Sequence, residues 1–91
     1  MNFKIESNRV YACDADGHVI ADITFPVVHA GVVNIDHTFV DPSLRGQGVA
    51  DQLIRTALGV IRADGHRAVA TCSYAVEWFQ RHPEQTDILD S

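Results

Sequence analysis

The stretch Asp41-Pro42-Ser43-Leu44-Arg45-Gly46-Gln47-Gly48-Val49-Ala50 decides how this chain folds, because the residue pattern changes period across it. Before it, Val32 to Val40 reads as a long central strand, with Val33, Ile35, His37 and Phe39 predicted on one face. After it, Val49, Ala50, Leu53, Ile54, Ala57, Leu58 and Ile61 recur at helical spacing, with Asp51, Gln52, Arg55 and Arg62 on the other side. Asp41-Pro42-Ser43 closes the strand, since Asp favours the first position of a turn and Pro has no N–H for a ladder. A Gly-rich strand-to-helix turn presents unpaired N–H groups at the positive end of a helix dipole, which suits an anionic phosphate. Gly46 and Gly48 carry no side chain to block such a group, Arg45 adds a forked guanidinium, and Ala50 keeps the first helical turn small. The same residues also fit an ordinary tight turn entering a helix, so context has to separate the two readings.

Toward the N-terminus, Phe3 to Glu6, Arg9 to Cys13 and His18 to Phe25 alternate as strands. Ser7-Asn8 and Asp14-Ala15-Asp16-Gly17 separate them, and Pro26 is expected to end the third, so the segment reads as an antiparallel meander. Toward the C-terminus, the helix is predicted to stop at Asp64-Gly65, where Gly can take the left-handed conformation. A short strand, Ala68 to Thr71, follows, then a helix from Tyr74 to Arg81 with Ser73 as N-cap and Pro83 barring extension. The remaining tail is too short to form another layer. With no linker or repeat, residues 1–91 are expected to form one domain of α/β (α+β) class, a mixed, mostly antiparallel sheet with a helix on either face.

Composition narrows the function. At 91 residues, 46% hydrophobic and 21% charged, the chain matches ordinary globular usage. A net charge of -5 without a Lys/Arg cluster argues against nucleic acid as a partner and mildly favours cationic ones. Cys13 and Cys72 stand far apart, and His18, His29, His66 and His82 show no ligand spacing, so neither a disulfide framework nor a metal is expected. The histidines read as surface or capping residues. The N-terminus lacks the apolar core of a signal peptide, and no apolar run is long enough to span a bilayer. A cytoplasmic protein without a membrane partner is the expectation.

The Gly-rich loop does not fit the common nucleotide motifs. A dinucleotide site would place its glycines after a first strand, whereas this loop follows several antiparallel strands. A phosphate-binding P-loop would end in Gly-Lys-Ser/Thr, which is absent. The decapeptide instead resembles the acetyl-CoA signature of the GNAT acetyltransferases: Arg or Gln, two residues, Gly, one residue, then Gly or Ala. Arg45, Gly48 and Ala50 fill its three defined positions, and the order strand, loop, helix, strand, helix over roughly residues 31 to 83 is similar to the GNAT core. The resemblance is closest to a very short single-domain branch, which shows a His-Thr pair in the strand and a Cys before a final helix ending in His-Pro-Glu. Here these are His37-Thr38, Cys72 and His82-Pro83-Glu84.

The resemblance implies an N-acetyltransferase with acetyl-CoA as co-substrate. The amides of Gly46, Gln47, Gly48, Val49 and Ala50 together with Arg45 would hold the pyrophosphate, and the backbone of Phe39-Val40 would pair with pantetheine. The chain departs from the longer GNAT enzymes in two ways. It begins directly with strands rather than a pair of helices, so an open acceptor site is expected. Phe79 also stands where many of those enzymes carry a Tyr that protonates the departing thiolate. Tyr74 can substitute as general acid or simply pack its ring. Cys72, at a helix start that favours a thiolate, suits either transient acyl capture or a small apolar role. His37 is the candidate general base, with a hydrogen-bonded structural role as its rival. Trp78 and Phe79 are assigned to packing. The acceptor would be an amine, either a small molecule or a basic peptide. Two other functions stay open: a non-catalytic acyl-CoA-binding or sensor module, and an interaction protein that retains the fold.

Overall fold

The computed structural model describes residues 1–90. Three antiparallel strands, β1 (Lys4–Glu6), β2 (Arg9–Cys13) and β3 (Val19–Thr24), form the meander that the alternation predicts. Its turns use Asn8 at φ 61° and Gly17 at φ 86°, with Asp14 Oδ1 accepting from the amides of Asp16 and His18. Such left-handed positions favour Gly and Asn. Strands β4 (Val27–His29), β5 (Val32–Ile35), β6 (His37–Val40) and β7 (Arg67–Ala70) and helices α1 (Val49–Ala63) and α2 (Ser73–Arg81) complete the order.

The long strand predicted over Val32 to Val40 is broken at Asp36, and this break shapes the molecule. Strand β5 runs parallel to β7 and antiparallel to β4, while β6 pairs antiparallel with β3, giving one sheet ordered β1-β2-β3-β6 and another ordered β4-β5-β7. The switch occurs at one peptide. The Ile35 carbonyl accepts from both Thr71 and Cys72 amides at 3.1 Å, holding it to β7, whereas the Asp36 amide donates to Thr24 O at 3.3 Å. Thr24 Oγ1 also donates to Asp36 Oδ1 at 2.5 Å, so Asp36 is held to the end of β3.

The break shifts the phase of the side chains. Val33 and Ile35 are fully buried, but His37 and Phe39, predicted on the same face, are exposed. Thr38 and Val40 instead share the inner face with their cross-strand partners Ile23 and Ala21. Period-2 alternation carries a pattern across a strand only while the ladder is continuous.

Helix α1 buries Val49, Leu53, Ile54, Ala57, Leu58 and Ile61, and packs across β2, β3 and β6. It ends as its sequence predicts: Gly65 takes φ 72° and the His66 amide donates to Ile61 O at 3.0 Å. Helix α2 begins one residue early, with Cys72 rather than Ser73 as N-cap. It lies against β7 and a six-residue 3-10 segment, Pro83–Ile88, which seats Ile88 in the core. The tail then bridges to the sheet through Leu89 and Ala68.

Candidate active site

A cleft of about 410 Å³ opens between the end of β6, the Gly-rich loop, the first turn of α1 and the start of α2. Thr38, Val40, Leu44, Arg45, Gly46, Gly48, Val49, Ala50, Asp51 and Tyr74 line it. The loop begins as a tight 3-10 turn over Pro42–Leu44, with Asp41 Oδ1 accepting from the Ser43 amide at 2.9 Å. The Ser43 hydroxyl first, and then this amide, hold the Asp41 carboxyl below its usual range.

Gly46 and Gly48 then adopt φ 81° and 75°, conformations that strain other residues. Gly48 is the N-cap of α1, and no side chain caps the helix. An uncapped start leaves its amides for another acceptor. The amides of Arg45 and Gln47 close turns onto Pro42 O and Leu44 O, each at 3.3 Å. Those of Gly46, Gly48, Val49 and Ala50 have no protein acceptor among the described residues. Nor does the Arg45 guanidinium have a side-chain partner among them. An Arg and a row of unpaired amides at the positive end of a 15-residue helix form an anion-binding geometry.

Of the other residues singled out in the sequence, Val40 lines the cleft, whereas Gln47 points its amide back to Ser43 O at 3.2 Å and Phe39 lies on the outer face. Tyr74 is half-buried on the wall contributed by α2. Burial, reinforced by the Asp51 carboxylate, raises its phenol pKa and keeps it protonated. Cys72 sits just behind the wall, its Sγ 3.5 Å from Thr38 Oγ1. His37 faces away from the cleft, on the exposed side of β6 opposite Thr24. Phe79 is buried and meets Trp78 edge-to-face at 5.4 Å. His18 is exposed within 3.5 Å of Asp14 in the β2–β3 turn, and His82 ends α2, stacked on Trp78.

Three lining residues, Thr38, Leu44 and Asp51, have neither a cofactor-binding nor a catalytic role in the sequence reading. Leu44 lies inside the decapeptide Asp41 to Ala50 and is legible there. Thr38 required the phase shift at Asp36, and Asp51 reads from sequence only as part of the polar side of a helix. Asp51 Oδ1 accepts from Trp78 Nε1 at 2.9 Å and its Oδ2 from Arg55 Nε at 2.9 Å. The Trp78 bond, then Arg55, lowers its pKa.

Among known proteins, YhbS from Escherichia coli, a GNAT family N-acetyltransferase crystallised with CoA, superposes with a TM-score of 0.60 at 28% identity, over 68% of this chain and 38% of that one. The solution structure of a GCN5-like protein from Staphylococcus aureus superposes with a TM-score of 0.81 at 29% identity, over 99% of this chain and 88% of that one. The bovine protein NATD1 is 30% identical over 66 residues, which span 72% of this chain and 58% of the bovine protein. A family model described as GCN5-related N-acetyltransferase matches residues 10–88, and the chain belongs to that family.

Proposed function

We propose that this chain is an acetyl-CoA-dependent N-acetyltransferase. The observation that carries the reading is the row of unpaired amides at Gly46, Gly48, Val49 and Ala50 beside Arg45, facing a cleft whose other wall holds a protonated phenol. The donor set fits a pyrophosphate, and Val40, Leu44 and Val49 give the cleft an apolar lining for a pantetheine arm. Among the described residues strand β6 pairs only with β3, so its second edge offers backbone groups to that arm.

The reaction is direct attack of a neutral amine on the acetyl thioester: the C–N bond forms, the C–S bond breaks, and CoA leaves as a thiolate. Tyr74 donates its phenolic proton to that sulfur and recovers one from solvent. A backbone N–H on the free edge of β6 stabilises the developing oxyanion. The proton lost by the amine passes to solvent water, from which the exposed His37 or Asp36 can take it. The acidic balance favours a cationic acceptor, a small amine or a basic peptide. No helix among the described residues is long and apolar enough to cross a membrane.

A second reading, an acyl-CoA-binding module without turnover, draws support from Phe79 and from His37 lying outside the cleft. Thermal unfolding with acetyl-CoA and CoA, compared with NAD and ATP, tests the donor, because a ligand bound only by the native state raises its stability. A shift confined to the CoA compounds is expected, and equal shifts with all four or none would overturn the assignment. Product formation with an amine panel then separates enzyme from module.

A further inference from the structure

Asp51 places a carboxylate on the wall of a cleft otherwise suited to phosphate, in the first turn of α1. A negative charge there opposes an anionic ligand, and the groups around it determine how strongly. Arg55 reaches it from one turn along α1. Helix α2 brings Trp78, a neutral donor at 2.9 Å, Tyr74 on the cleft wall, and His82, whose Nε2 lies 4.0 Å from Asp51 Oδ1. Arg45 lines the same cleft, and Arg81 also acts on Tyr74.

The orientation of His82 is set by two contacts. Its ring stacks on the buried Trp78 indole, centroids 4.1 Å apart and planes 19° apart. Its Nδ1 lies 2.7 Å from Trp78 O, and because a carbonyl can only accept, Nδ1 carries the hydrogen. Nε2 is therefore the nitrogen that gains or loses a proton, and it is the one directed at Asp51. In the neutral ring a lone pair faces the carboxylate; in the charged ring an N–H does.

We propose that His82 is a proton-dependent positioning residue that acts through Asp51 on the affinity of the cleft for its phosphate-bearing cofactor. Protonated, it offsets the Asp51 charge and the cleft binds more tightly; neutral, it leaves Arg55 alone to do so. The inference rests on the cofactor reading above and adds a proton to it.

Trp78 is the only Trp in the chain, and a protonated imidazole stacked on an indole quenches its fluorescence, so the wild-type protein reports the state of His82 directly. Coupling between two sites is reciprocal. Saturating CoA is expected to move the fluorescence titration to higher pH. On acidification, CoA affinity should rise about fivefold more in the wild type than in His82→Gln. Comparing the two proteins at each pH cancels the titration of the CoA phosphates. With Asp51→Asn, His82→Gln should have no further effect. A titration unmoved by saturating CoA, or a His82→Gln effect that persists with Asn at position 51, would overturn the proposal. Should His82→Gln fail to fold, the wild-type titration still decides. Absence of both CoA binding and a CoA thermal shift at every pH would overturn the cofactor reading itself, and this inference with it.

Discussion

Cys72 Sγ lies 3.5 Å from Thr38 Oγ1 and joins the start of α2 to β6 across the place where the two sheets part. Thr38 lines the cleft and Cys72 does not, so the thiol meets the cleft through the hydroxyl.

That arrangement separates two mechanisms. In a direct-attack enzyme, Cys72→Ala loses one weak hydrogen bond, and kcat should stay within about threefold of wild type, whereas a covalent route through the thiol would stop. Mass spectrometry of the protein after exposure to acetyl-CoA checks the result independently: no acetyl adduct on Cys72 is expected.

At the loop, Gly48→Glu should abolish CoA binding by placing an anion among the free amides. The backbone at φ 75° is strained by any side chain, which costs about 1–2 kcal/mol. Gly48→Ala is the control, since an added Cβ meets nothing within 4 Å. It should show the same loss of stability in denaturant titrations but keep most of its CoA affinity.

Removing the phenol of Tyr74 tests the acid. Tyr74→Phe should lower kcat by about 10²–10⁴ with little change in KM for the donor. Because burial and Asp51 both disfavour the phenolate, the wild type should show no loss of kcat from this group as pH rises from neutral to 9. A Phe variant of undiminished kcat removes Tyr74 from the mechanism.

Acid should unfold the protein partly through Asp51. Its folded pKa lies below the unfolded value of about 3.9, so the unfolded chain binds the proton more readily. The contribution is present in full above the unfolded pKa and lost as pH falls through the folded one. Asp51→Asn should therefore be less stable at neutral pH and show a shallower fall in melting temperature between about pH 5 and 2.

Much of this was legible residue by residue. The α1 stripe from Val49 to Ile61, its stop at Gly65, and the loop glycines are local matters: spacing and a positive φ depend on neighbours in sequence. Strand β4 was missed because Val27–His29 is short and exposed at every residue, with no alternation to read.

The family resemblance, the meander and the Gly-rich turn into α1 are legible along the chain, because helix periodicity, turn chemistry and the Arg45-to-Ala50 pattern are written in consecutive residues. Long-range contacts, by contrast, break the strand from Val32 at Asp36, turn Thr38 and Val40 rather than His37 and Phe39 to the cleft, and bring Asp51 to Trp78 and His82. Each of these depends on which distant partner a backbone or side-chain group finds: Thr71 and Cys72 for Ile35, Thr24 for Asp36, and α2 for Asp51. Alternation along a strand carries no information about where the chain leaves one sheet for another.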